Sequence, residues 1–186
     1  MQRINWFPDP NITGTIKPVT GSGKVKIDYT SVNKRNWMRA TSTATGDNYA
    51  QYFLSGPQLP LSGSYHVHAL AYAYGADASF QVFYHVNGSY QQSFSIPVGN
   101  GQTVTVDKTL TLPPGYDYLL VRIQLDTQTV GAIGMMSDIH IERADTYDPA
   151  VGGASGLLHR RHHATRLTPR TGTVMPDDGH EPMHEP

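Results

Sequence analysis

The sequence predicts an all-β protein, an antiparallel β-sandwich of the jelly-roll type followed by an extended C-terminal arm. Apolar residues recur at every second position within short segments, which is the period of a β-strand. The 186 residues include 18 Gly and 13 Pro, many of them in the turns that separate these segments. About eight to ten such strands, with no segment of helical period of ordinary length before residue 151, favour two packed sheets.

Nine segments are predicted to be strands from their alternation and from the turn residues that bound them. They are 24–30, 37–43, 49–54, 65–74, 80–86, 89–96, 103–112, 118–125 and 135–143. Asn87-Gly88 follows the fifth of these and predicts a two-residue hairpin turn. In segment 65–74 both alternating faces carry many apolar or aromatic residues, so we expect this strand to be covered on both sides.

A change of composition near Val151 divides the chain into a domain, residues 1–151, and an arm, residues 152–186. His, Arg, Pro and Gly dominate the arm, in which arginines come first and acidic residues follow. Such a segment fits a charged surface on a neighbouring protein better than it fits a core. We expect the arm to attach to a partner through Leu157, Leu158, Arg160, Arg161 and Arg166.

Composition excludes several classes of protein. Hydrophobic residues make up 38% of the chain and charged residues 16%, which argues against a coiled coil and against a highly charged disordered chain. Without cysteine there is no disulfide framework and no thiolate metal site. A formal net charge of -1 and the lack of a long apolar run lead us to expect neither nucleic acid nor a membrane as partner.

Two histidines on one predicted strand are the candidates for a metal site. His66 and His68 are two residues apart, so both imidazoles leave the same face of the strand. A third ligand depends on whether the strand order brings His85 or His140 beside them. Residues 69–73 supply no acid, and histidines packed beside aromatic neighbours explain the pattern as well. We therefore expect neither a metal nor another cofactor.

The sequence contains none of the usual signatures of catalysis. It has no Gly-x-Ser-x-Gly elbow, no zincin motif and no complete phosphate loop. Asp138, His140 and Glu142 alternate with isoleucines, which is typical of the solvent-facing side of a strand rather than of paired catalytic carboxylates. The sequence thus predicts no catalytic residue, and we expect the protein not to be an enzyme.

Aromatic residues offer a second kind of site. Rings of Tyr and Trp stack on the C–H faces of sugars, while nearby amides bond to the hydroxyl groups. Tyr90, Gln91 and Gln92 lie next to the predicted hairpin turn and form the most sugar-like local cluster, and Trp37 is a further candidate. The alternative is that these rings fill the core or contact other proteins.

Three segments resemble carbohydrate-binding-like jelly rolls found in bacteriophage tail proteins and other virion proteins. They are INWFPDPN at 4–11, LTLPPGYDYLLVRI at 110–123 and MSDIHIERADTY at 136–147, and the resemblance spans about residues 4–148. It implies a non-enzymatic structural protein of the phage particle, a minor tail or capsid-decoration component located in the virion. Its partners would then be other virion proteins or copies of itself. The alternative is a carbohydrate-binding module that adheres to host cell-surface glycans.

Overall fold

The computed structural model describes residues 4–21, 24–56 and 60–146, and these residues form ten β-strands and no α-helix. In chain order the strands are β1 (Val19–Thr20), β2 (Val25–Val32), β3 (Arg35–Ser42), β4 (Tyr49–Ser55), β5 (Gly63–Tyr74), β6 (Ala78–Val86), β7 (Ser89–Val98), β8 (Thr103–Leu112), β9 (Tyr116–Leu125) and β10 (Ile133–Arg143). No helix long and apolar enough to cross a membrane is found in this part of the chain. The predicted arm, with its five partner residues, lies outside the described residues.

Two five-stranded sheets make up the domain. The first sheet has the order β1-β4-β9-β6-β7 and the second has the order β2-β3-β10-β5-β8. Every strand pairs antiparallel to its neighbours within its sheet. The predicted antiparallel sandwich is confirmed, and each of the nine predicted strands is found within two residues of its expected ends. The short strand β1 was not predicted.

The core lies between the sheets and is filled by alternate residues of the long strands. Its largest fully buried side chains include Tyr52, Tyr65 and Phe80. The two sheets approach each other closely at Gly134 in β10. A Cβ atom there would lie 2.5 Å from Leu125 Cδ2 and 2.7 Å from a side-chain atom of Ile123, both in the opposite sheet. Gly134 therefore leaves room for the first sheet to pack against β10.

The hairpin predicted at Asn87-Gly88 joins β6 and β7. Both residues have positive φ, 51° and 74°, as a two-residue type I′ turn requires. The β2–β3 hairpin turns in the same way at Asn33 and Lys34, with φ of 52° and 63°. Because that turn contains no glycine, the sequence gives a weaker signal for it.

The expectation that β5 is covered on both faces is wrong. Tyr65 and the alternate residues that follow it are buried in the core. His66 and its alternate neighbours are partly accessible, and Tyr74 is 58% exposed. Imidazole and phenol side chains combine an apolar body with a polar tip, so they suit an accessible face of an antiparallel sheet.

The expectation that Asp138, His140 and Glu142 share a solvent-facing side is also wrong. A β-bulge shifts the register of β10 at Asp138, whose φ is 49°. After the bulge His140 is 6% exposed and Glu142 is 4% exposed.

The N-terminal segment beside β10 accounts for part of this burial. Trp6 N donates a hydrogen bond to Ile141 O at 2.8 Å, and Ile141 N donates to Asn5 Oδ1 at 2.9 Å. The side-chain amide of Asn5 also lies 3.1 Å from Nδ1 of His140. The alternation of apolar residues in β10 does not indicate that a segment distant in sequence pairs with this strand.

Candidate functional site

The outer face of the first sheet presents three rows of side chains that cross β4, β9, β6 and β7. Strand register places these side chains opposite one another, and successive rows are about 7 Å apart along the strands. The first row is Ser55, Tyr118, His85 and Tyr90; the second is Phe53, Leu120, Phe83 and Gln92; the third is Gln51, Arg122, Gln81 and Ser95. Two rows rich in aromatic rings thus adjoin one polar row.

Four rings of the first two rows form a contiguous group, called here the ring cluster: Phe53, Tyr118, His85 and Tyr90. His85 stacks on Tyr118, with centroids 4.6 Å apart and an interplanar angle of 9°. Phe53 lies 4.7 Å from Tyr118 on its other side, and Tyr90 meets His85 edge to face at 5.2 Å. Tyr90 is 62% exposed and Phe53 is 44% exposed. The cluster is therefore an accessible aromatic surface rather than part of the core.

Polar contacts hold the ring cluster in place. Nδ1 of His85 lies 2.7 Å from Oδ2 of Asp117. A hydrogen bond with Tyr90 raises the pKa of Tyr118 to about 12, because loss of the Tyr118 proton would break that bond. At neutral pH the Tyr118 hydroxyl is uncharged and can exchange hydrogen bonds with a hydroxyl group of a ligand.

Arg122 occupies the centre of the polar row. Its Nε and Nη2 atoms donate to Oε1 of Gln51 at 2.9 and 2.7 Å. Its guanidinium carbon lies 3.9 Å from the ring centroid of Tyr49 and 4.9 Å from that of Phe83. Burial lowers the pKa of Arg122, yet a guanidinium stays charged at neutral pH. The face therefore carries a fixed positive charge between aromatic rings.

Amide side chains flank this guanidinium on both neighbouring strands. Gln51 is buried, with 8% exposure, and Gln81 is partly buried. Gln81 Nε2 donates to Oγ of Ser79 at 2.9 Å, which orients its carbonyl oxygen as well. Rings for apolar contact and oriented amides for hydroxyl groups are the two components that a sugar-binding surface needs.

The structure brings together two of the four residues named from the sequence as glycan contacts. Tyr90 and Gln92 belong to the three rows. Gln91 pairs with Tyr84 and, by the alternation of β7, belongs to the other side of that strand. Trp37 lies in β3 of the second sheet and is 8% exposed. The proposed binding role of all four stays a prediction.

Sequence reasoning missed Phe53, Phe83, His85 and Arg122 as members of one site. Their strands are far apart in sequence, and their side chains become neighbours because β9 lies between β4 and β6. The sequence signal that could have found them is the alternation along each strand. It places each of these side chains on the face of its strand that points away from the core. The order of strands in the sheet is needed to combine them.

Trp37 lines a separate groove on the outer face of the second sheet. This cavity has a volume of about 470 Å³ and its walls include Val32, Tyr72 and Met135. Met135 and Trp37 are equally buried, each with 8% exposure. Trp37 therefore contributes mainly to packing on its own sheet.

The histidines named as metal candidates lie on the second sheet. Strand order places His140 opposite His68, with ring centroids 6.3 Å apart. His66 contacts the carboxylate of Asp107, and burial lowers the pKa of His68. Within residues 4–21, 24–56 and 60–146, no group of three or more His, Asp or Glu side chains is arranged to hold a metal ion.

Comparison with known proteins identifies the fold. No protein-family model matches the chain. No curated protein matches it either. Among solved structures, it is similar to the xylan-binding CBM22-1 domain of Xyn10C from Paenibacillus barcinonensis, with 14% identity and a TM-score of 0.54 over 76% of this chain and 92% of that one. A family 22 carbohydrate-binding module of Clostridium thermocellum Xyn10B gives 12% identity and a TM-score of 0.57, covering 79% and 94% of the two chains.

A phage protein also shares the architecture. The enzymatically active domain of tailspike protein 4 from bacteriophage CBA120 gives 10% identity and a TM-score of 0.51, covering 74% of this chain and 21% of that one. At these identities the likeness concerns the fold and not the residues of a site. The chain therefore has the jelly-roll sandwich seen in carbohydrate-binding modules.

Proposed function

We propose that this protein binds glycans on the outer face of the first sheet. The observation that carries the proposal is the ring cluster, in which Phe53, Tyr118, His85 and Tyr90 form a continuous accessible surface across four strands. Exposed aromatic surface of this kind is unfavourable in water unless a ligand or partner covers it. The adjoining polar row offers hydrogen bonds beside the rings, as an amphipathic ligand requires.

The dimensions of the face favour an oligosaccharide chain over a single sugar. Neighbouring strands lie about 4.8 Å apart, so a row that crosses four strands extends about 14 Å. Rings occupy positions on all four strands in the first two rows. A chain lying across the strands can therefore place successive sugars on successive rings.

The fold comparison supports the same class of ligand. Two solved structures with this architecture are named as carbohydrate-binding modules, one of them as a xylan-binding domain. Both are named as binding modules rather than catalytic domains, which agrees with our expectation that this chain is not an enzyme. The absence of catalysis itself stays a prediction.

A glycan array followed by calorimetry tests the proposal. We expect the protein to bind at least one host-wall polysaccharide, and Tyr90→Ala to weaken that binding about tenfold, which corresponds to ~1.4 kcal/mol. Tyr74→Ala is the matched control, because Tyr74 is 58% exposed but lies in β5 of the second sheet. An array without signal, or equal losses in the two variants, would refute glycan binding at this face.

A structural role in a phage particle is a second proposal, compatible with the first. It is supported by the three segments that resemble virion jelly rolls and by the arm of opposite charges at 152–186. Deleting residues 152–186 tests it in an assembly that contains the protein. We expect incorporation into the particle to fall sharply while the domain still folds. Undiminished incorporation would rule out attachment through the arm.

A further inference from the structure

Arg122 differs from the other arginines in the described part of the chain in having no carboxylate within 4.0 Å. The others are each paired: Arg35 with Asp138, Arg39 with Asp28 and Arg143 with Asp145. Those three are also more accessible, whereas Arg122 lies between two aromatic rings. A cation removed from water is unfavourable unless an anion or several hydrogen bonds compensate it.

The compensation that the protein itself supplies to Arg122 is incomplete. A guanidinium has five N–H donors. Two of them reach one neutral acceptor, Oε1 of Gln51, and the other three have no hydrogen bond within the described residues. Asp47 acts on Arg122 electrostatically from a longer distance and also accepts a hydrogen bond from Gln124 at 3.2 Å. The outer face thus keeps both positive charge and unused donors.

Planar, bidentate donation is the property that makes arginine suited to carboxylates. Arg122 is two rows from Tyr118 and one row from Phe53 and Phe83, a separation of about 7 to 14 Å along the strands. This spacing allows one sugar to stack on the ring cluster while a substituent of a neighbouring sugar reaches the guanidinium.

We propose that the ligand of this face is an acidic glycan whose sugar-ring carboxylate binds the guanidinium of Arg122. The inference rests on the proposed function and specifies its ligand class. It goes beyond the xylan named for one module of the same fold, because it specifies a charged group on the ligand. Gln51 acts here as a positioning residue, because its carbonyl oxygen holds the guanidinium plane through two hydrogen bonds.

The test uses matched pairs of glycans that differ only in charge. The probes are oligogalacturonate and its methyl ester, hyaluronan oligomers and their carboxyl-reduced form, and sialyllactose and its carboxyl-reduced form. They are titrated into the full chain and into Arg122→Gln, Arg122→Lys and the control Arg39→Gln. Arg39 is paired with Asp28 on the second sheet at 2.7 Å, outside the proposed site.

We expect the full chain to bind at least one acidic member about tenfold more tightly than its neutral partner, with a preference that shrinks as salt is added. Arg122→Gln is expected to abolish the preference while neutral binding remains, and Arg122→Lys to retain part of it. Arg39→Gln is expected to behave as the full chain. Thermal melting of each variant shows whether the domain is still folded.

The outcomes separate this inference from the general proposal. Equal affinity within every pair, or a preference that survives in folded Arg122→Gln, would overturn the acidic ligand. Glycan binding at the ring cluster would still stand if Tyr90→Ala lost it. Failure of the chain to bind any acidic or neutral glycan would overturn both.

Discussion

The two outer faces of the sandwich are built from similar residue types and arranged in opposite ways. On the second sheet the arginines are paired with carboxylates: Arg39 with Asp28 and Arg35 with Asp138. On the first sheet the central cation, Arg122, is held by a neutral amide and two rings. The arginines of the second face therefore have anionic partners within the protein, whereas Arg122 keeps unused donors beside accessible rings.

This comparison shows that aromatic content alone does not locate a site. Trp37 and Tyr72 line the walls of a groove on the second sheet, and Trp37 is almost fully buried. Tyr90 and Phe53 are accessible and belong to a row that continues across neighbouring strands. The continuity of the rings across strands distinguishes the candidate site from ordinary packing.

The largest expected effect is on stability. Trp37→Ala removes a large side chain that is 8% exposed, so we expect the free energy of unfolding to fall by about 3 kcal/mol. Chemical denaturation measures this loss. We expect the folded fraction of Trp37→Ala to keep its glycan affinity. A large loss of affinity would instead show that Trp37 belongs to the binding site.

The next effect concerns affinity. Tyr118 contacts Phe53, His85 and Tyr90, so Tyr118→Ala is expected to weaken glycan binding about a hundredfold, or ~2.8 kcal/mol. Tyr72→Ala on the second sheet is the control and should leave affinity within twofold. Similar losses in both variants would mean that the two faces are not functionally different.

A smaller effect is expected in the titration of Tyr118. Its raised pKa, to about 12, comes chiefly from the hydrogen bond with Tyr90, so Tyr90→Phe should move it towards 10. NMR of ring-labelled tyrosine can follow this shift. Because the pKa of Tyr118 is raised in the folded protein, the hydrogen bond with Tyr90 contributes fully to the free energy of unfolding below pH 10. This contribution is lost as the pH rises through about 12. An unchanged pKa of Tyr118 in Tyr90→Phe would show that the hydrogen bond with Tyr90 does not cause the shift.

The smallest effect is expected at the paired face. The hydrogen bond with Arg39 holds the pKa of Asp28 below its ordinary value of 3.8, and the pair is partly exposed. Asp28→Asn should therefore cost about 0.5 kcal/mol and leave glycan binding unaltered. In the unmodified chain this contribution is present above pH 3.8 and is lost as the pH falls below it. Chemical denaturation at pH 7 and at acidic pH measures the cost of Asp28→Asn and the loss of this contribution at low pH.

The strands could be predicted because their signals are local. Alternation and turn residues located nine of them, and the Asn87-Gly88 pair located the β6–β7 hairpin. The burial of His140 and Glu142 could not be predicted in the same way, since residues near Asn5 lie beside β10 and no local pattern encodes that contact.

The candidate site could be predicted only in part for the same reason. Tyr90 and Gln92 were found from a local cluster next to a turn. Arg122 shows no such signal, and its place beside Gln51 and Gln81 follows from β9 lying between β4 and β6. Pairing of distant strands determines which side chains become neighbours, and single-strand periodicity carries no information on it.

A titration of the ¹⁵N-labelled protein with its strongest-binding array glycan, followed by NMR, locates the binding face. We expect the amide signals that shift most to belong to Phe53, Phe83, His85, Tyr90 and Arg122, along with their neighbours on β4, β9, β6 and β7. Signals of β2, β3 and β8 should stay in place. Shifts centred on Trp37 and Tyr72, with the first sheet unaffected, would show that glycans bind the second sheet instead.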